Sequence, residues 1–169
     1  MEIERKFLID KINFDLEKYK SKYIKQQYLY KDIFTAIRKR LIIQNNVSKY
    51  FYTIKTNKNG FSVNEIEKEI TQDEYDKLNN ENNTEIIKTR YIIPYQNYKI
   101  ELDIFDGEYK GLMFAEVEFK NETEAIEFEK NIPEWFVIEI SNDITNADMA
   151  TTNPKVIWNK IERLKNKNI

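Results

Sequence analysis

The stretch EIERKFLI, residues 2–9, decides how the rest of the chain is read. Side chains alternate across a strand, so Glu2, Glu4 and Lys6 share one face while Ile3, Arg5 and Phe7 take the other. The arrangement recurs. Arg38 and Arg40 share a face in FTAIRKRLI (34–42), Lys55 joins Phe51 and Thr53 in SKYFYTIKT (48–56), and Glu65, Glu67 and Glu69 align in SVNEIEKEI (62–70). Lys88 and Arg90 align in EIIKTRYII (85–93), Glu101 and Asp103 in YKIELDIF (98–105), and Glu116 and Glu118 in LMFAEVEF (112–119). YIKQQYLY (23–30) completes a set of period-two segments rich in aromatic and β-branched residues.

Taken singly, each is an ordinary half-exposed strand with a solvated polar face. Taken together, they place like charges in pairs, and like charges two residues apart repel. Several such faces become reasonable if they line one cavity in which the two signs offset each other. The expectation is an α+β, mainly β fold: a closed, eight-stranded antiparallel barrel whose inner face is charged and whose outer apolar faces are covered by helices. Helices are expected at TQDEYDKLNN (71–80), where Thr71 and Glu74 form a capping-box pattern, and at NETEAIEFEKN (121–131). A C-terminal helix follows at NPKVIWNKIERLKNK (153–167), with Asn153 as cap and Pro154 at the first helical position. With three glycines, three prolines and no repeat, residues 1–169 read as one domain.

Composition removes several functions. A net charge of −2 argues against a general affinity for nucleic acid or for a membrane surface. There is no cysteine and no histidine, which excludes disulfides, thiolate chemistry, the Ser-His-Asp arrangement and the commonest zinc ligand. Any metal would be held by oxygen, which favours a hard divalent cation. No apolar run approaches the ~20 residues of a membrane span, and the N-terminus lacks the apolar core of a secretory signal, so a cytoplasmic protein is expected.

Lys and Arg lining a cavity suit a compact polyanion, and carboxylate pairs beside them suit a divalent cation bridging to it. That set serves phosphoryl transfer. A P-loop is not the means, since Gly60, Gly107 and Gly111 are isolated.

At this point the chain resembles the CYTH, or triphosphate tunnel metalloenzyme, superfamily. EIERK fits the E-x-E-x-K signature, and the likeness continues in order through QQYL (26–29), AIRKR (36–40), YTIK (52–55), EIEKEI (65–70), KTRY (88–91), ELDIF (101–105) and AEVEF (115–119). The resemblance implies an eight-stranded tunnel that hydrolyses or cyclises a triphosphate-containing small molecule with Mg²⁺ or Mn²⁺. Carried over by motif, Lys6, Arg38, Arg40, Lys55 and Arg90 would bind the triphosphate. Glu2 and Glu4, with Glu116 and Glu118, would hold metal, while Glu67, Glu101 and Asp103 would support that site. Lys88 and Tyr28 are candidates to position or deprotonate the attacking water, with phosphate ligand and packing residue as their alternative roles. The likeness thins at DMATTN (148–153), where related short proteins carry D-x-x-Y-x-N, and the terminal helix is expected to close that tunnel end.

The implied activity is metal-dependent hydrolysis of inorganic tripolyphosphate to pyrophosphate and phosphate. Class IV adenylyl cyclase, thiamine triphosphatase and a non-catalytic polyphosphate or nucleotide sensor are the alternatives. The Tyr-rich outer wall leaves a homodimer open.

Overall fold

A computed structural model describes the backbone of residues 2–57 and 62–167, and the side chains of 3–56 and 63–167. Among these residues, nine strands run as β1 (Glu2–Ile9), β2 (Lys20–Lys31), β3 (Thr35–Gln44), β4 (Val47–Asn57), β5 (Ser62–Ile70), β6 (Ile86–Tyr95), β7 (Tyr98–Phe105), β8 (Met113–Phe119) and β9 (Phe136–Glu139). The helices are α1 (Gln72–Lys77), α2 (Glu122–Glu127), α3 (Asn146–Thr151) and α4 (Pro154–Asn166). β3 and β4 are joined by Asn45 and Asn46, both left-handed (φ 50° and 61°), as a tight two-residue hairpin requires.

The strands form one antiparallel sheet in the order β5-β4-β3-β2-β6-β7-β8-β1-β9. The mainly-β antiparallel expectation therefore holds, but continuous hydrogen-bonded closure of the barrel does not. β1 pairs with β8 from Ile3↔Phe119 to Ile9↔Met113, whereas among the described residues it meets β5 at Glu2↔Val63 and Ile3↔Ser62. The cause is β9, which the alternation pattern missed. It takes the free edge of β1 at Phe7↔Glu139 and Leu8↔Ile138, so that half of the edge is not available to β5.

Two apolar clusters hold the sheet. One lies outside the strands: Ile3, Phe7, Leu102, Ala115 and Val117 pack beneath Ala125 of α2 and Phe128 of the short 3₁₀ turn that continues it. The other sits across one end of the sheet's inner side, where Leu8, Ile86, Phe105 and Phe114 meet Met149 and Ala150 of α3 and Ile157 and Ile161 of α4. The inner face is thus not charged throughout, because its end is apolar and capped by helices. α3, which the sequence pattern does not mark, covers this end together with the terminal helix α4. Thr145 caps α3 through a reciprocal bond with Asp148, and Tyr109 Oη donates to the Met149 carbonyl at 2.6 Å. α1 follows its predicted cap: Thr71 Oγ1 accepts from Glu74 N–H at 3.2 Å, and Glu74 Oε2 accepts from Thr71 N–H at 2.8 Å. No helix among the described residues is long and apolar enough to cross a membrane.

Candidate active site

Residues directly opposed in an antiparallel ladder project to the same side, so register assigns the inner face. Lys6 faces Glu116, Glu101 faces Glu116, and Arg90 faces Asp103. Lys22 faces Arg90, Tyr28 faces Arg38, and Lys55 faces Glu65. All of these side chains but the fully buried Asp103 line a cavity of about 950 Å³, together with Glu4, Arg40, Lys88 and Glu118. The strands thereby bring together the cations and most of the acids that the sequence singled out.

Glu116 is the hub of one wall. Its Oε1 lies 3.0 Å from Lys6 Nζ, and its Oε2 accepts from Arg90 Nη2. Burial would raise the Glu116 pKa, but Lys6, Arg90 and Lys88 overcome it and hold the carboxyl well below the usual range. Burial likewise opposes charge on Lys6, yet Glu116 and Glu4 outweigh it and raise that pKa. Arg90 also binds Asp103 at 2.6 Å through both Nε and Nη2, and Glu101 through Nη1. Asp103 and Glu101 are therefore occupied in orienting Arg90 rather than standing open as ligands.

Lys88 completes this network. Its ammonium donates to Asp103 Oδ2 with both side chains closed off from solvent. Burial pulls the Lys88 pKa down to about 8, with Asp103 opposing and Arg90 reinforcing the shift. On the opposite wall Arg40 donates to Glu67 at 2.6 Å, Thr53 Oγ1 donates to the same carboxylate at 2.9 Å, and Lys55 pairs with Glu65 at 2.7 Å. Arg38 is buried beside Tyr28. Burial opposes its charge, but Tyr28 and Glu65 outweigh it and raise its pKa.

The metal expectation rests on Glu2, Glu4, Glu116 and Glu118. The Glu2 side chain lies outside the described residues. Glu4 and Glu118 stand directly opposite each other on β1 and β8, an unfavourable placing for two anions unless a cation lies between them. Neither makes an ion pair within the described residues, and Glu4 adjoins the hub at Glu116. These oxygen donors fit a hard divalent cation. Among the described residues, no three carboxylates are gathered as a ready cage, because Lys6 and Arg90 hold Glu116.

Lys22 and Gln26 escape the sequence reading of the inner face, and Thr53 is placed there only as a neighbour of Lys55. Lys22 lines the cavity because β2 begins at Lys20, three residues before the expected start. Thr53 is fully buried against Glu67, and Gln26 is fully buried opposite Arg40. Continued alternation from Tyr28 back through Gln26 and Lys22 is the signal that finds two of them. At the helix-capped end, Thr145, Asn146, Asp148 and Thr151 also line the cavity, with Lys31 paired to Asp148.

Comparison with known proteins gives a consistent result. No family model matches the chain. An inorganic triphosphatase from Acetivibrio thermocellus is 30% identical over 146 residues, spanning 84% of this chain and 86% of that protein. The crystal structure of the inorganic triphosphatase NE1496 superposes with a TM-score of 0.62 at 30% identity, covering 91% of this chain and 97% of that one. A Hippeastrum protein, HpAC1, named for adenylyl cyclase and described as having a dominant triphosphatase activity, shares the fold at 15% identity. Its TM-score is 0.58, covering 88% of this chain and 94% of that one.

Proposed function

Because the chain belongs to the inorganic triphosphatases of the CYTH, or triphosphate tunnel, superfamily, we propose that it hydrolyses inorganic tripolyphosphate to pyrophosphate and phosphate inside its charged cavity. It is a hydrolase acting on triphosphates, and in this reading residues 1–169 act as one tunnel domain, with β1 meeting β5 only at Glu2↔Val63 and Ile3↔Ser62 among the described residues. The observation that carries this reading is the pairing of opposed signs across one cavity, with Glu4 and Glu118 facing each other on its lining.

In this reading Arg38, Arg40, Lys55, Arg90 and Lys6 receive the phosphoryl oxygens, and Arg38 is held toward the substrate beside Tyr28. A divalent cation, Mg²⁺ or Mn²⁺, held by Glu4 and Glu118 with Glu116 and Glu2, would neutralise phosphoryl charge and acidify water. Glu67, Glu101 and Asp103 orient the arginines. Lys88 Nζ, with its lowered pKa, holds the attacking water and takes its proton, and Tyr28 fixes that water's direction. The oxygen attacks the terminal phosphorus in line, the P–O bond to the bridging oxygen breaks, and pyrophosphate departs. We place the protein in the cytoplasm, with its exposed outer wall, including Tyr23 and Ile66, available for a second copy.

Glu118→Gln together with Glu4→Gln tests the metal half of this reading. The double variant is expected to melt no lower than wild type without metal and to lose at least about 100-fold in metal-stimulated phosphate release. Undiminished release would refute the assignment. The exposed Ile33 and Phe34 at the cavity rim favour, as a second reading, an organic group attached to the triphosphate, as in a thiamine triphosphatase or a class IV adenylyl cyclase.

A further inference from the structure

Gln26 has no part in the chemistry above, yet it is the least satisfied polar side chain on the inner face of β2. It is 1% exposed, and among the described residues neither Nε2 nor Oε1 has a hydrogen-bond partner. A buried amide in that state has lost its water without compensation, and native proteins rarely leave one so. Ile86, its neighbour across β2–β6, offers no polar group. Directly opposite across β2–β3 stands Arg40, whose Nε–H is also buried and unpartnered. A neutral acceptor and a charged donor therefore sit on the same face, in register, without bonding. Arg40 instead spends its Nη2 on Glu67, at 2.6 Å.

We propose that Gln26 is a positioning residue for Arg40 in the loaded tunnel, an inference that rests on the triphosphate reading of the cavity. A polyphosphate competes with Glu67 for the Arg40 guanidinium. As Arg40 turns toward the anion, Gln26 Oε1 accepts its Nε–H, leaving the two Nη groups to bind phosphoryl oxygens as a fork. The ligand-free tunnel bears the cost of the unpaired amide, and binding recovers it. Lysine cannot replace arginine here, because it has no Nε–H in that position.

The test is a double-mutant cycle on Gln26→Met and Arg40→Lys. It is read by steady-state kinetics with metal and tripolyphosphate, and by the tripolyphosphate-induced rise in melting temperature in EDTA. Gln26→Met should melt no lower than wild type without ligand, raise KM by about tenfold with kcat within about twofold, and shrink the ligand-induced rise. In the Arg40→Lys background the same change should have no further effect on KM or on the rise. Gln26→Asn, which keeps the amide but is one methylene short, supplies both readouts if the Met variant does not fold. Wild-type KM and a full ligand-induced rise in Gln26→Met would overturn the proposal, as would an undiminished loss in the Arg40→Lys background. The thermal readout needs no turnover. A wild type that is stabilised by tripolyphosphate but releases no phosphate contradicts hydrolysis and leaves the Gln26 test intact. A wild type showing neither response overturns both.

Discussion

Lys88 and Asp103 form an ion pair with the lysine side chain 2% exposed and the aspartate 0%. Burial outweighs Asp103 and holds the Lys88 pKa at about 8, below the ordinary 10.5. Below pH 8 the folded state carries the full penalty of a buried ammonium. As pH climbs from about 8 toward 10.5, the folded state has released that proton while the unfolded chain still holds it, so stability rises across this window. Urea unfolding of wild type beside Lys88→Met should show the difference moving in favour of wild type from pH 8 to 10. If the neutral amine takes the proton from water, kcat should rise about tenfold per pH unit below pH 8 and level off above it. A wild-type kcat that is flat from pH 6 to 9 rules out that role. A Lys88→Met variant that raises KM at unchanged kcat makes Lys88 a phosphate ligand.

Arg90 joins three carboxylates, Glu101, Asp103 and Glu116, and is buried with the last two while Glu101 is half-buried. Removing one member of a buried ionic network leaves the others uncompensated. Arg90→Leu should therefore cost about 3–5 kcal/mol in urea unfolding and abolish phosphate release. Lys49 and Glu69 offer the contrast, because both are more than half exposed at 3.3 Å. Lys49→Ala should cost less than about 1 kcal/mol. Equal losses for the two variants would show that the buried network is not what organises the tunnel.

At the capped end, Tyr109 Oη donates to the carbonyl of Met149, and both residues are buried. Tyr109→Phe orphans that carbonyl and should lower stability by about 1–3 kcal/mol. Because α3 carries Asn146, Asp148 and Thr151 on the cavity wall, the substitution should also make α3 amides exchange faster with solvent. Unchanged exchange in α3 would mean that the Tyr109 bond does not fix the tunnel end.

The eight alternating strands, seven of them with a charged face, are legible because a strand's period of two separates Glu4 from Ile3, and Arg38 from Ile37, at every step. Neither β9 nor α3 is. FVIE is four residues long and follows Trp135, so apolar and polar positions do not alternate long enough to register. α3 is a single six-residue helix, whose Thr145–Asp148 cap has too short an apolar pattern behind it to mark a helix. The family resemblance implies Glu116 as a metal ligand and Asp103 as a support, while the ion-pair partners of both depend on cross-strand register, which tertiary pairing sets and which one strand at a time does not show. That register gives Glu116 to Lys6 and Arg90, and buries Asp103 between Arg90 and Lys88. Lys22 escapes because β2 begins at Lys20, three residues before the segment that the alternation marks.

Hydrolysis of a bare triphosphate in this tunnel is tested by product analysis with tripolyphosphate, ATP and thiamine triphosphate under Mg²⁺ or Mn²⁺. The expected result is equimolar phosphate and pyrophosphate from tripolyphosphate, suppressed by EDTA, at a kcat/KM at least about tenfold above that for either organic triphosphate. Cyclic AMP formed from ATP, or intact tripolyphosphate after incubation with metal, would contradict it.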